Sequence, residues 1–340
     1  MVSDLDRQLT ATLAHRAGGD VDPTPIVEQA RHRGRRLRRR RRGLLAAGTA
    51  AACVALATLV STIPTAGDPR PAATTLLLPE ATVQNGLAVG ADPTTVHFSA
   101  DALMNGAESA TWRAGRGSES VEFRGPDGSA RFALARSVAA LDALPQTLSS
   151  SGRPQPRTDV RVGDRPGVAW FDPSGDQRLW FVRWQPADGL WAQLDTYATT
   201  SDEAIATAGR VRFDSARRCV VPFRLESLPA GARLLECSIT LGRSEKAPFV
   251  EGSLVVGDDA GRWLTVRAQP APGHRIRSAD LVAGPYRARR QGADVVEMTV
   301  ETCFIEAFRK GWGDGYTEAE ALTILGGYRP APDLDRPGTW

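Results

Sequence analysis

The chain has 340 residues, with 42 basic and 39 acidic side chains and a net charge of +3. Residues 1–42 contain eleven arginines and five acids; subtracting these from the totals leaves 31 basic and 34 acidic residues for the rest. The basic character therefore belongs to the N-terminal segment. The remainder has no charge bias that would favour nucleic acid as a partner, and it is long enough for one large or two small domains.

The N-terminal tail, residues 1–42, ends in a run of arginines. Positive residues beside a membrane span stay on the cytoplasmic side, and each attracts anionic lipid heads by about 1 kcal/mol. Such a run can also bind nucleic acid, but its place next to an apolar segment favours lipid. We expect these arginines to contact anionic lipid at the cytoplasmic face: Arg35, Arg36, Arg38, Arg39, Arg40, Arg41 and Arg42.

The segment 43–63 is uncharged, contains no proline and is 21 residues long. As a helix it spans about 31 Å, which matches the apolar core of a bilayer. A buried globular helix, a cleaved export signal and a lipoprotein site at Cys53 are the alternatives. An uncleaved anchor fits best, because the tail before it is long and the apolar run continues past Cys53. The pattern predicts a single-pass protein of the cell membrane with a cytoplasmic N-terminus and an extracytoplasmic C-terminal domain.

The chain after the span is predicted to be mostly antiparallel β, within an α+β fold class. Prolines indicate an extended linker over 64–95. Short alternating strands separated by glycine turns then fill a first β-rich unit, 96–218, and a second, 219–330, each of which ends in a helix. The predicted helix caps are Ser201 and Thr317. A disordered tail is expected at 331–340.

The two units show the same order of features: a hairpin, a glycine turn, a meander and a closing helix. The first hairpin turn, 125–128, corresponds in this reading to the acidic turn 257–261. We interpret the order as two tandem sheet-plus-helix units that arose by duplication. The alternative is one continuous β-rich domain with chance similarity.

Three cysteines follow the span. Cys219 and Cys237 flank a short segment with proline and glycine and are candidates for a disulfide, which an extracytoplasmic compartment permits. Cys303 would then be an unpaired, buried thiol. Pairing of Cys237 with Cys303 is the alternative.

The sequence indicates a protein that is not an enzyme. It contains none of the common hydrolase, zinc-peptidase or phosphate-loop motifs, so we expect no catalytic residues, metal or cofactor. Four tryptophans on neighbouring predicted strands form a candidate apolar ligand pocket: Trp170, Trp180, Trp184 and Trp191. The alternative is that they belong to the core of a sheet packed on a helix.

Several short motifs carry a family resemblance. The segments 222–225 (PFRL) and 228–231 (LPAG), the arginine-ended tail, the single span and the capped closing helices resemble actinobacterial single-span membrane proteins related to anti-sigma factors. The resemblance implies extracytoplasmic domains similar to lipoprotein-carrier half-barrels, and a cytoplasmic partner for residues 1–42. The tail lacks the His-x-x-x-Cys-x-x-Cys motif of zinc-type anti-sigma domains.

Two functions follow from this topology. The first is a non-enzymatic, single-pass membrane protein whose outer domain senses or binds an envelope ligand and whose tail reports to a cytoplasmic protein, as an anti-sigma-like regulator does. The second is a structural or carrier protein of the cell envelope, for which the N-terminal span is only an anchor.

Overall fold

A computed structural model describes residues 77–81, 88–104, 106–126, 128–144, 156–172, 178–243, 248–309, 315–333, 338 and 340. The chain divides into two units, Met1–Asp68 and Pro69–Trp340, and all of the described residues belong to the second. The predicted tail 1–42 and span 43–63 lie outside the described residues. No helix in the described ranges has the length and apolar character needed to cross a membrane.

The first half of the described chain begins at the segment 77–81 and ends near residue 218. A short 3₁₀ turn covers Asp101–Leu103, and the helices are α1 (Val138–Asp142) and α2 (Ser201–Ala208). The strands are β1 (Thr95–Val96), β2 (Ser109–Gly115), β3 (Ser118–Gly125), β4 (Gly128–Ala135), β5 (Thr158–Val162), β6 (Arg165–Asp172), β7 (Leu179–Ala187), β8 (Leu190–Tyr197) and β9 (Arg217–Arg218).

The second half contains helix α3 (Glu318–Gly326). Its strands are β10 (Phe223–Leu225), β11 (Arg233–Arg243), β12 (Pro248–Gly257), β13 (Trp263–Pro270), β14 (Leu281–Ala283), β15 (Tyr286–Gln291), β16 (Val295–Val300), β17 (Cys303–Phe308) and β18 (Tyr328–Pro330). The prediction of a mostly antiparallel β fold is therefore confirmed for the described part of the chain.

Fourteen of the described strands form one antiparallel sheet. Their order is β14-β15-β16-β17-β13-β12-β11-β2-β3-β4-β8-β7-β6-β5. The centre of the sheet is the pairing of β2 with β11, where Trp112 lies opposite Ile239. From this joint toward one edge of the sheet, the strands follow as β2, β3 and β4 and then as β8, β7, β6 and β5. Toward the other edge they follow as β11, β12 and β13 and then as β17, β16, β15 and β14.

Each half also has a short strand before and after its seven sheet strands. In the first half the leading strand β1 pairs with the trailing strand β9, and in the second half β10 pairs with β18. A helix precedes the trailing strand in both halves, α2 in the first and α3 in the second. The connectivity of the two halves is therefore the same.

One face of the sheet, here called the inner face, is packed with apolar side chains. Alternation along β2 buries Ala110, Trp112 and Ala114, as the two-residue period of a strand requires. Helix α2 contributes Ala204 and Ala208 to this core. Helix α3 contributes another buried set: Ala321, Ile324 and Leu325. The inner face in both halves is thus occupied by the protein's own side chains.

The linker prediction for 64–95 is wrong for the described residues at its C-terminal end. Leu78 and Val89 are 2% and 1% exposed and belong to the core. Glu80 forms a bridge with Arg217, and β1 begins at Thr95. Burial of these apolar side chains is favourable, so the segment that contains them packs on the domain and does not form a free linker.

The prediction of a disordered tail over 331–340 is also wrong where the structure describes it. Trp340 is 8% exposed, and its indole N–H donates to the carbonyl oxygen of Asp333 at 2.7 Å. A large aromatic side chain with a hydrogen-bonded N–H is stable in a core. The C-terminal residue therefore packs against the domain.

The helix caps agree with the sequence at one position and differ at the other. Thr317 caps α3 in a capping box with Glu320, as expected. The cap of α2 is Thr200, whose hydroxyl accepts from the backbone N–H of Glu203, and not the predicted Ser201. Both Thr200 and Ser201 have a hydroxyl that suits a cap. Thr200 is the cap because its backbone is extended, as the cap position requires.

Candidate functional site

The four tryptophans that were predicted to line one pocket lie on two faces of the sheet. Trp180 and Trp184 are buried in the inner-face core. Trp170 lies directly opposite Phe181 and stacks on it, so it points to the other face, here called the outer face. Trp191 precedes the residue that pairs with Trp184, and alternation turns it to the outer face as well. A pocket lined by all four is therefore not formed.

The outer face of the first half carries a buried network of charged and polar side chains. Arg131 on β4 and Asp195 on β8 are opposite each other, with Nε and Oδ2 separated by 3.0 Å. Gln193 donates to Asp195 Oδ1 at 2.7 Å, and Arg183 donates to Gln193 Oε1. Helix α1 adds Asp142, whose Oδ1 accepts from Arg183 at 2.6 Å. Burial raises the pKa of Asp195, and the charge of Arg131 opposes this rise.

A second buried site lies where the entry segment crosses the first hairpin. The Glu119 carboxylate is fully buried and contacts His97 Nδ1 at 2.6 Å. It also accepts the backbone N–H groups of His97 at 2.6 Å and of Gly90 at 3.0 Å. Burial by itself lowers the pKa of His97, but the hydrogen bond and charge of Glu119 outweigh it, so the pKa is raised. The His97 side chain is only 6% exposed, so this pair is closed to a substrate.

The cysteines predicted to pair are joined in the structure. Cys219 and Cys237 form a disulfide with Cα atoms 6.1 Å apart, and both are buried. The bond ties the segment before β10 to strand β11. Cys303 is a free, buried thiol, and burial raises its pKa, which makes it a poor nucleophile.

An open groove of about 790 Å³ lies in the second half, between the connection 271–280 and the strands beside it. Its lining residues include Arg275, Arg287 and Glu301. Both arginines are exposed, and neither forms an ion pair with another described residue. Arg287 makes one long hydrogen bond, 3.4 Å, to the carbonyl oxygen of Ala279.

The connection that forms the groove wall is held by several weak contacts. His274 stacks edge-on against Phe304, with ring centroids 4.6 Å apart. Its backbone N–H donates to the carbonyl oxygen of Ala271 at 2.9 Å. Ser278 has φ = 62°, a backbone conformation that is uncommon for a residue other than glycine and that is found at ligand sites more often than elsewhere.

The groove residues were not singled out by sequence reasoning. Arginines in a loop carry no recognisable spacing. Strand β11 was missed too, although a signal was present: Cys237, Ile239 and Leu241 are buried at alternate positions, as in a strand with one buried face. The predicted lipid contacts, Arg35 to Arg42, lie outside the described residues and remain a prediction.

Comparisons with known proteins identify no family for this chain. No protein-family model matches it, and no curated protein matches it. Among solved structures, MucB in complex with MucA(peri) is similar, with 18% identity over 68% of this chain and 96% of that chain, and a TM-score of 0.23. The Pseudomonas aeruginosa MucA/MucB complex gives 17% identity over 68% and 95%, with the same TM-score. A TM-score this low supports no conclusion about function, so the proposals below rest on this chain's own residues.

Proposed function

We propose that this protein is a non-enzymatic binding protein of the cell envelope, anchored by the span 43–63 with residues 1–42 in the cytoplasm. The observation that carries the proposal is the Cys219–Cys237 disulfide. Disulfides persist in oxidising, extracytoplasmic compartments and are rare in the cytosol. The arginine run before the span supports the same orientation, because positive flanks stay inside.

A binding role is supported by the contrast between the two polar sites. The His97–Glu119 pair has the chemistry of a general base, but it is sealed from solvent and serves the packing of the entry segment. The groove beside 271–280 is open and presents two arginines without ion-pair partners among the described residues. Accessible and unpaired charge is a property of a recognition site.

A structural or carrier protein of the envelope is the second candidate. A carrier of apolar cargo needs an open cavity, and the inner face in both halves is packed with core side chains and helices. The continuous fourteen-stranded sheet favours the structural form of this alternative. In that case the tail would be an anchor without a signalling partner.

We also propose that the two halves arose by duplication of one sheet-plus-helix unit, with the boundaries 96–218 and 219–330. The matched strand order and the matched pairing of leading and trailing strands support it. Chance would have to reproduce nine strands and one helix in the same order.

Topology reporters test the anchored orientation. Alkaline phosphatase, which is active only outside the cytoplasm, is fused after residue 340, and a fluorescent protein that matures only in the cytoplasm is fused before residue 1. We expect both fusions to be active. An inactive phosphatase fusion in a stable, expressed chain would overturn the proposal.

Deletion of the tail separates signalling from anchoring. The variant lacks residues 2–30 but keeps the arginine run and the span, so insertion is preserved. If the tail signals, this variant should have the phenotype of the full deletion of the protein although it reaches the membrane in normal amount. A phenotype equal to wild type would favour the structural role.

A further inference from the structure

Two arginines that line the groove, Arg275 and Arg287, form no ion pair with another described residue. Most arginines of the second half are paired: Arg262 with Asp258, Arg267 with Glu251 and Arg290 with Glu318. The groove arginines have no such partner, although acids are plentiful on this surface. Guanidinium groups without an ion-pair partner keep N–H donors available for an anion in the groove.

We propose that this groove binds the phosphate group of a phosphorylated ligand, an inference that rests on the proposed binding function. Guanidinium groups present several N–H donors in a planar fork that matches phosphate oxygens, often with two parallel bonds. Ser278 adds a hydroxyl to the same lining. Arginines and hydroxyls are the side chains by which proteins contact phosphate groups.

The matching connection of the first half differs from this one in its described residues. There, between β4 and β5, the chain forms α1, and Asp142 from this helix pairs with Arg183 on the outer face. In the second half the connection between β13 and β14 has no helix. Its one acid, Asp280, accepts the backbone N–H of Arg290 at 3.2 Å and forms no ion pair with Arg275 or Arg287.

Glu301 allows a test of whether the groove binds an anion or a cation. It is the acid in the groove lining, and it reduces the positive potential there. A phosphate should therefore bind more tightly when this charge is removed, and less tightly when either arginine is removed. A site that held a cation would respond in the opposite direction to both changes.

The test is calorimetric titration of the full chain in a neutral detergent, with two soluble probes and one lipid probe: inorganic phosphate, glycerol 3-phosphate, and micelles with phosphatidylglycerol. We expect Arg275→Ala and Arg287→Ala each to weaken binding about tenfold, the loss of one charge-assisted contact, and Glu301→Gln to tighten it severalfold. Arg233→Ala removes an exposed arginine outside the groove and should leave binding unchanged.

The probes distinguish the source of the phosphate. Variant-sensitive binding of the soluble probes alone indicates a free phosphorylated ligand, and variant-sensitive binding of the micelles alone indicates a lipid headgroup. Residues 31–42 attract anionic micelles equally in all variants, so only the difference between variants counts. Arg275 makes no hydrogen bond with a described residue, so its variant should fold normally, which thermal unfolding checks.

Two results would overturn the inference. The first is that wild type and the double variant Arg275→Ala/Arg287→Ala bind each probe equally. The second is that Glu301→Gln binds the probes more weakly than wild type does. Either would leave the anchored orientation intact, because that is read from the reporter fusions. An inactive phosphatase fusion with variant-sensitive phosphate binding would instead retain the site and reject the topology.

Discussion

At the scale of single residues, two buried charge pairs set the local stability of the first half. The Glu119 carboxylate holds the entry segment through the backbone N–H groups of Gly90 and His97. Gly90 has φ = 70°, and a Cβ there would lie 2.2 Å from the backbone carbon of Gly117. The close approach explains why glycine stands at this position.

The His97–Glu119 pair predicts a pH dependence of stability. The pKa of His97 is raised in the folded state above its usual 6.5. Its stabilising contribution is therefore complete below pH of about 6.5 and is lost as the pH rises through the folded-state pKa. Urea unfolding at a series of pH values should show wild type losing stability over that window relative to His97→Asn, which cannot titrate. A constant difference between the two would contradict it.

The Arg131–Asp195 pair predicts a large cost for breaking one partner. Asp195→Ala removes the buried carboxylate that lies 3.0 Å from Arg131 Nε, which costs about 3–5 kcal/mol of unfolding free energy. The matched control, Asp259→Ala, breaks an exposed pair with Arg233 and should change stability little. Replacing both partners by Arg131→Met and Asp195→Leu should recover most of the loss. Equal effects of Asp195→Ala and the control would contradict the prediction.

At the scale of secondary-structure elements, strand β11 has the central role. It pairs with β12 on one side and with β2 on the other, so it joins the two halves of the sheet. The disulfide from Cys219 to Cys237 fastens the start of the second half to this strand. The segment between the two cysteines is thereby fixed at both ends.

Removal of the disulfide should destabilise the domain. Cross-linking residues separated by 18 positions lowers the entropy of the unfolded chain, which corresponds to about 3 kcal/mol for a loop of this size. We expect Cys219→Ala/Cys237→Ala to lower the unfolding free energy by roughly that amount, measured with guanidinium under oxidising conditions. Addition of a reductant should bring wild type to the stability of the variant. Cys303→Ala is the control, and it should not alter the response to the reductant.

At the scale of the described domain, one sheet and one main core extend through both halves. The core cluster contains Trp112 and Leu194 of the first half together with Ile305 and Leu325 of the second. Two separate domains would show two clusters with an exposed boundary. The shared core indicates that neither half is complete without the other.

The shared core predicts that the two halves unfold together. Most tryptophans of the described strands lie in the first half, so their fluorescence reports on it, whereas far-ultraviolet circular dichroism reports on all strands. We expect the two signals to follow one coincident transition in denaturant. In Thr240→Pro the joint loses a ladder hydrogen bond, so the midpoint should fall and the two curves should separate. Two distinct transitions in wild type would contradict a shared fold.

The sequence by itself determined the mostly antiparallel β class, although it did not locate strand β11. Alternation and glycine turns predicted short antiparallel strands after the span, and the described part of the chain has them. The cap at Thr317 was predicted as well, because caps depend on a few neighbouring residues. The spacing of Cys219 and Cys237 left two pairings open, and the folded chain selected one.

Only the tertiary structure decided which strands are neighbours and which face each side chain occupies. The joint of β2 and β11 brings together residues more than a hundred positions apart, as in the Thr111–Thr240 hydrogen bond at 3.0 Å. The tryptophan pocket failed for the same reason, since strand alternation and register together place Trp170 and Trp191 away from Trp180 and Trp184. In the sequence, Leu78 and Val89 lie in a proline-containing segment that is typical of a linker. Only the folded structure shows that the core covers them. The groove arginines became a candidate site only when the fold left them without acidic partners.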